Sequence, residues 1–334
     1  MNKLKLLTLF ISAGLVATVV PAAGALAQTT STSSGQAYPT KPVRIIIGFS
    51  PGGGGDISGR LLAQKMSASL GQPVIVENRV GAGGAIASEL VARSPADGHT
   101  LLFAAGAFAA LPALRAKLPF DTERDFAPVS LVVITAFALS VHPSVPVRDV
   151  KALIALARSR PGVLTFSSPG VSSSAHLAGE LFNMMAQVKL LHIPFKGSPE
   201  AATAVAAGEI DVGLPSVVAV MPFLAAGKLR AIAVTSAKRS ALLPAVPTLD
   251  ESGLRGYDRS GWNGILAPAG VPRDVIVHLN DLIGKIVNAP EMTESLRKLG
   301  FEPRTGTPEQ FAAFVHNEMA QNAKLVKFAG LKPN

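Results

Sequence analysis

Gly48-Phe49-Ser50-Pro51-Gly52 has the G-x-S-x-G form of a turn that presents a nucleophilic serine between a strand and a helix. Acyl transfer on such a turn uses the backbone N–H after the serine to hold the oxyanion. Here that residue is Pro51, which has no N–H. Losing one oxyanion donor typically costs about 10²–10³ in rate, so a hydrolase using Ser50 is the weaker reading of this segment. The glycines that follow do not make a nucleotide loop. No Gly-Lys-Ser/Thr comes after them, and G-x-G-x-x-G fails in each frame from Gly52, Gly53 or Gly54. The six histidines, His99, His142, His176, His192, His278 and His316, include no pair at the i, i+4 spacing of a helical metal site, and the chain has no cysteine. No metal and no cofactor are expected from these residues.

What the glycines can do is bind an anion without chemistry. Gly52, Gly53, Gly54 and Gly55 stand between an apolar run and a helical pattern. Backbone N–H groups at such a junction point toward a ligand, the helix dipole adds positive character, and the missing Cβ atoms let the ligand approach. Asp56 would repel an anion unless it turns away, and it is expected as the N-cap of the helix. A second loop, Ser168-Pro169-Gly170-Val171-Ser172-Ser173-Ser174, has the same form with hydroxyl donors, and His176 follows close to its helix start. Two such loops on separate segments indicate a cleft that holds an anion from both sides.

Rigid elements must position these loops. Val43–Phe49, with Ile45, Ile46 and Ile47, reads as a strand buried on both faces. A helix follows with Ile57, Leu61, Leu62 and Leu70 as its apolar stripe. Strands at Pro73–Glu77 and Thr100–Ala105 flank a helix that starts after Gly81–Gly84 and runs to about Arg93. This is the β-α-β-α-β order of a parallel sheet with helices on its faces. A second series runs through a helix at Val150–Ser159, strands at Leu164–Ser167 and Leu190–Pro194, a helix at Pro199–Ala207, and strands at Ile210–Leu214 and Arg230–Thr235. Helices at Arg273–Val287, Pro290–Leu299 and Pro308–Ala329 end the chain. The repeated strand–loop–helix unit implies two similar α/β lobes.

The chain has 334 residues, 48% hydrophobic and 16% charged, which excludes a disordered protein. Its net charge of +9 is scattered, the densest groups being pairs such as Lys238-Arg239 and Arg297-Lys298, and it has one Trp and two Tyr. No nucleic-acid footprint results, while small anionic ligands are favoured. Lys3 and Lys5, an uncharged apolar run from Leu6 and the Ala25-Leu26-Ala27 end are the parts of a secretory signal peptide over 1–27. The Thr/Ser-rich stretch 28–37 reads as a flexible linker.

Taken in order, several segments carry a resemblance. They are Tyr38-Pro39-Thr40-Lys41-Pro42, Phe49-Ser50-Pro51-Gly52-Gly53-Gly54-Gly55-Asp56, Val76-Glu77-Asn78-Arg79-Val80-Gly81-Ala82-Gly83-Gly84, Asp97-Gly98-His99-Thr100-Leu101-Leu102, His176-Leu177-Ala178-Gly179-Glu180, Pro194-Phe195-Lys196-Gly197-Ser198, Gly227-Lys228-Leu229-Arg230 and Leu266-Ala267-Pro268-Ala269-Gly270. Over roughly Tyr38 to Gly330 the chain resembles the Bug-type periplasmic solute receptors of tripartite tricarboxylate transporters. The resemblance implies a two-lobed periplasmic binding protein fold, each lobe a mostly parallel sheet flanked by helices, with crossing strands and the ligand between the lobes. The implied division is 38–138 plus 263–334 for the first lobe and 139–262 for the second. It implies a small carboxylate as ligand, membrane transporter subunits as partners, a periplasmic monomer, and no catalysis; a ligand-presenting sensor is the alternative role. By resemblance, Phe49 and Gly52 to Asp56 hold the ligand from one side, and Ser172, Ser173, Ser174 and His176 from the other. Ala107, Leu111, Pro215 and Ser216 are implied near its far end. Leu111, Val171, Ala175 and Pro215 replace polar residues common in the family, which implies an acid with an apolar body.

Overall fold

The isoleucine-rich run becomes strand β1 (Val43–Ile47), with Val43, Ile45, Ile46 and Ile47 fully buried. In this computed structural model, residues 38–331 and 333 are described, except 53 and 172; the expected leader 1–27, the linker 28–37, Gly53 and Ser172 lie outside the described residues. From β1 the chain continues through α1 (Gly54–Leu70), β2 (Val74–Asn78), α2 (Ala85–Ala92), β3 (Thr100–Ala105), the short α3 (Leu111–Leu114) and β4 (Phe126–Thr135). It then crosses to β5 (Ala138–Val141), α4 (Val150–Ser159), β6 (Thr165–Ser168), α5 (Ser174–Ala186), β7 (Leu191–Pro194), α6 (Ser198–Ala206), β8 (Val212–Gly213), α7 (Val217–Ala225) and β9 (Arg230–Val234). It returns as β10 (Gly261–Pro268), α8 (Arg273–Asn288), α9 (Pro290–Lys298), β11 (Glu302–Pro303) and α10 (Pro308–Phe328).

The strands form a six-stranded sheet in the order β11-β4-β10-β3-β1-β2 and a five-stranded sheet in the order β7-β6-β8-β5-β9. Each keeps a parallel group, β2-β1-β3 in one and β7-β6-β8 in the other. Each also has one antiparallel strand beside that group: β10 lies antiparallel to β3 and β4, and β5 antiparallel to β8 and β9. The sheets are therefore mixed α/β sheets, with helices against them. The chain changes sheet between Thr135 and Ala138 and again before Gly261, so Ala138 belongs to the second sheet and Gly261 and Trp262 to the first.

Strands β4, β5 and β10 and helix α7 were not expected from local pattern. In β10 two glycines and a proline interrupt a segment that is buried throughout. Gly264 is required there, because a Cβ would lie 2.3 Å from the Phe311 ring and 2.9 Å from the Ser130 carbonyl oxygen. Helix α7 is apolar all round and contains Pro222, so it has no 3.6-residue stripe to read. Helix α1 also turns differently from expectation: Ile57 is 38% exposed, while Leu62, Ala63 and Met66 face the core.

At the far edge of the first sheet, Glu77 on β2 takes two hydrogen bonds from Arg44, at 2.6 and 3.0 Å, and one from Arg79 at 2.8 Å. The Arg44 bonds outweigh the opposing effect of burial and, with Arg79, hold the Glu77 carboxyl down to about 2. A carboxylate depressed on folding contributes stability above its ordinary value of 4.5 and loses it as pH falls through about 2. Glu77→Gln is thus expected to lower the melting temperature at pH 6 and to approach wild type as pH falls toward 3. Melts across that range test it; a deficit independent of pH would assign it to packing.

Candidate functional site

The carboxyl ends of β1, β3 and β6 open onto a cleft of about 610 Å³ between the two sheets' lobes, the usual place for a ligand in open α/β sheets. Gly48, Phe49 and Ser50 line it where β1 ends, and the turn Val80–Gly84 lines it ahead of α2. Ser88 of α2, Leu102 to Ala105 of β3, then Ala107, Phe108, Leu111, Leu114 and Arg115, and Leu331 near the end of the chain complete the wall on this side. Pro169, Gly170, Val171 and Ser173 form the second-lobe wall.

Among the described residues of the first glycine loop, Phe49 and Ser50 reach this wall, and Gly52, Gly54, Gly55 and Asp56 do not line it. Asp56 is not the N-cap. It sits inside the first turn of α1, 2% exposed, and accepts from the Gly52 N–H at 3.0 Å, Asn78 Nδ2 at 2.8 Å and Arg60 Nε at 2.9 Å. Burial opposes its charge, but the bonds from Arg60, Gly52 and Asn78 outweigh burial and hold the carboxyl below its usual range. The Gly52 amide is thereby committed inside the protein. The next glycines make room for rings: a Cβ on Gly55 would come within 2.6 Å of Phe49, and one on Gly54 within 3.0 Å of Phe301. Gly55 thus leaves the space that Phe49 occupies, and Gly54 that of Phe301.

In the second loop Ser173 is the N-cap of α5. Its Oγ accepts from the His176 N–H at 3.1 Å and donates to the Gly170 carbonyl at 2.8 Å, so the hydroxyl shapes the loop. Ser174 and His176 do not line the cleft. His176 is buried and stacks on His192 with ring centroids 3.7 Å apart, its Nε2 3.6 Å from Glu180 Oε1. His192 Nε2 lies 2.7 Å from Ser168 Oγ. Burial, and then the neighbouring His176, push the His192 imidazole down to about 3. The pair, brought together from α5 and β7, supports the loop from below. Ala175 is buried in the second lobe's core, and neither Pro215, which is buried, nor Ser216, which precedes α7, reaches the cleft. Ala107, Leu111 and Val171 do.

The turn before α2 was expected only as a helix start, and its place on the cleft wall is new. Gly81, Ala82, Gly83 and Gly84 have φ of 141°, 50°, 68° and 95°. Ala82 in the left-handed region costs on the order of 1 kcal/mol, a strain that concentrates at functional sites. The Gly84 and Ala85 N–H groups donate to the Gly81 and Ala82 carbonyls, which leaves the Ala82 and Gly83 N–H groups without an acceptor among the described residues. These are neutral donors for an anion at the start of α2.

Among the described residues the lining contains no His, Asp, Glu or Lys, and its one charged side chain is Arg115. No side chain there can take a proton from Ser50. The arrangement suits reversible capture of an anion between two walls. Among the described residues no group of His, Asp and Glu is placed to hold a metal ion.

The model of the family described as tripartite tricarboxylate transporter family receptor matches residues 59–331. The chain belongs to this family. A Pseudomonas sp. (strain P51) relative described as a UPF0065 protein in the tcbD-tcbE intergenic region is 39% identical over 90% of this chain and 91% of its own length. Among solved structures, an R. palustris protein with adipate is 34% identical with a TM-score of 0.77, over 89% of this chain and all of that one (100%). MatC from Rhodopseudomonas palustris with bound malate is 29% identical with a TM-score of 0.73, over 86% of this chain and 100% of its own. As a member of the tripartite tricarboxylate transporter receptor family, the protein is a solute-binding receptor and not an enzyme.

Proposed function

We propose that this receptor captures a small carboxylate with an apolar body in the periplasm and presents it, as a monomer, to the membrane subunits of a tripartite tricarboxylate-type transporter. Family membership supports the transporter partnership, and the leader-like residues 1–27 support export. The carrying observation for the ligand is in the walls. Val80 and Val171 are 52% and 61% exposed and line the cleft from opposite lobes. With Phe49 and Leu111 they offer an apolar body about 25 cal/mol per Å² of area buried. A hydroxyl placed against them loses water and gains no partner, at roughly 1–3 kcal/mol. One carboxylate suits the Ala82 and Gly83 amides.

Titration calorimetry and thermal shift on protein beginning at Gln28 test this, using benzoate, terephthalate, adipate, malate and citrate. Apolar-bodied acids are expected to bind more tightly than malate and citrate. At 100-fold over the dissociation constant the best ligand adds about 2.7 kcal/mol of stability. Tighter binding of malate or citrate than of every apolar acid would overturn the apolar reading. No binding of any carboxylate would overturn the receptor reading itself.

A further inference from the structure

We propose that Arg115 is the specificity-determining residue of the cleft, and that it selects acids with a second anionic group at the end of the apolar body. This rests on the carboxylate reading above and names the ligand class within it.

Helix α3 is too short to bury much, yet its Leu111 and Leu114, one turn apart, and the extended residue Arg115 that ends it all line one cleft. The Arg115 backbone N–H closes the helix by donating to the Leu111 carbonyl at 3.0 Å. Its guanidinium is different. Arg44, Arg60, Arg79, Arg93, Arg239 and Arg259 all pair with carboxylates. Arg158 and Arg230 donate to carbonyls. Arg115 is half-buried on the cleft wall, and no described residue accepts from its guanidinium. Other arginines also lack partners, but among the described residues none of them lines this cleft.

Two kinds of donor thus share one cavity. The turn amides of Ala82 and Gly83 are neutral and satisfy one carboxylate. The guanidinium is a charged planar fork that matches a second carboxylate with two parallel bonds. The rest of the lining is mainly apolar, with Val80, Leu111 and Val171, and its polar side chains are the hydroxyls of Ser50, Ser88 and Ser173. A monoacid leaves the guanidinium to water; a citrate-like acid brings hydroxyl and carboxyl groups against Val80, Val171 and Leu111. A diacid with an apolar spacer, aliphatic or aromatic, satisfies both ends and the middle.

Matched pairs of acids test this: hexanoate with adipate, and benzoate with terephthalate, titrated into wild type, Arg115→Gln and Arg115→Lys. In wild type each diacid should bind at least tenfold more tightly than its monoacid. Arg115→Gln should weaken diacids by about ten- to a hundredfold and leave monoacids within twofold, erasing the preference. Arg115→Lys should retain part of it. With no partner to lose, both variants should melt with wild type. Monoacid binding with no diacid preference, or an equal loss for both classes in Arg115→Gln, overturns this proposal while the carboxylate reading stands. Failure of every acid to bind wild type overturns both.

Discussion

Gly106→Val should reduce ligand affinity at least a hundredfold, about 2.7 kcal/mol, with little change in the melting temperature of the free protein. Gly106 follows β3 in the first lobe, and Ser174 opens α5 in the second. A Cβ on Gly106 would lie 2.2 Å from Ser174 Oγ, 3.4 Å from Trp262 Nε1 and 3.5 Å from Ser174 Cβ. The lobes therefore touch at this point, beside the lining residue Ala107. The serine hydroxyl can rotate away from a single methyl, so alanine is a mild change. Valine also fills the space over Ser174 Cβ and wedges the lobes apart. Its backbone is not at positive φ, so the substitution brings no conformational strain of its own. Calorimetry reads the affinity, and small-angle scattering reads the spacing of the lobes. Adding Ser174→Gly should recover most of the loss. Affinity within threefold of wild type would show that the wall tolerates separation at this contact.

Arg259→Ala should destabilise the fold by about 3–5 kcal/mol, the usual cost of stranding one member of a buried ion pair. Arg259 is 1% exposed in the segment that returns to β10. It donates to Glu318 Oε1 at 2.7 Å and to Asn322 Oδ1, both on α10, and Trp262 Nε1 donates to Glu318 Oε2 at 3.2 Å. Burial already pushes the Glu318 carboxyl up, against the pull of Arg259. Removing the arginine raises it further. A carboxyl raised on folding contributes stability below its unfolded value and loses it as pH rises through the folded value. The deficit of Arg259→Ala should therefore be smaller near pH 4 than at pH 8. Urea unfolding at both values measures it. A deficit under 1 kcal/mol, or one unchanged with pH, would show that water or a neighbour replaces the arginine. Replacing the pair by Met and Leu should restore much of the stability, because an apolar substitute leaves no buried charge.

The parallel halves of both sheets were legible because burial on two faces writes a continuous apolar run. Thr100–Ala105 and Val150–Ser159 fall where the pattern places them. The antiparallel strands were hidden. Pro128 lies within β4 and two glycines within β10, residues whose strand conformation is imposed by neighbours far along the chain. At the site, a glycine that exposes its amide and a glycine that makes room for a ring look alike in a string of letters. Gly54 and Gly55 leave room for Phe301 and Phe49, while Ala82 and Gly83, whose amides have no acceptor among the described residues, stand on the cleft wall. Ser173 and His176 had the right chemistry, but a cap and a ring stack use them. Arg115 carried a readable spacing with Leu111 and Leu114, yet Pro112 inside that stretch obscured so short a helix.

The place of β10 bears on how the chain reaches this structure. It joins β3 to β4 in the middle of the first sheet, but it is made only after the whole of β5 to β9. During synthesis the N-terminal strands emerge with their central neighbour still missing. The β5–β9 sheet is one uninterrupted stretch of chain and has every strand it needs by Val234. The first sheet closes across a long loop, with the entropic delay that non-local pairing carries. A chain that cannot finish its first-made sheet until late remains unfolded in that part for longer than in the second sheet.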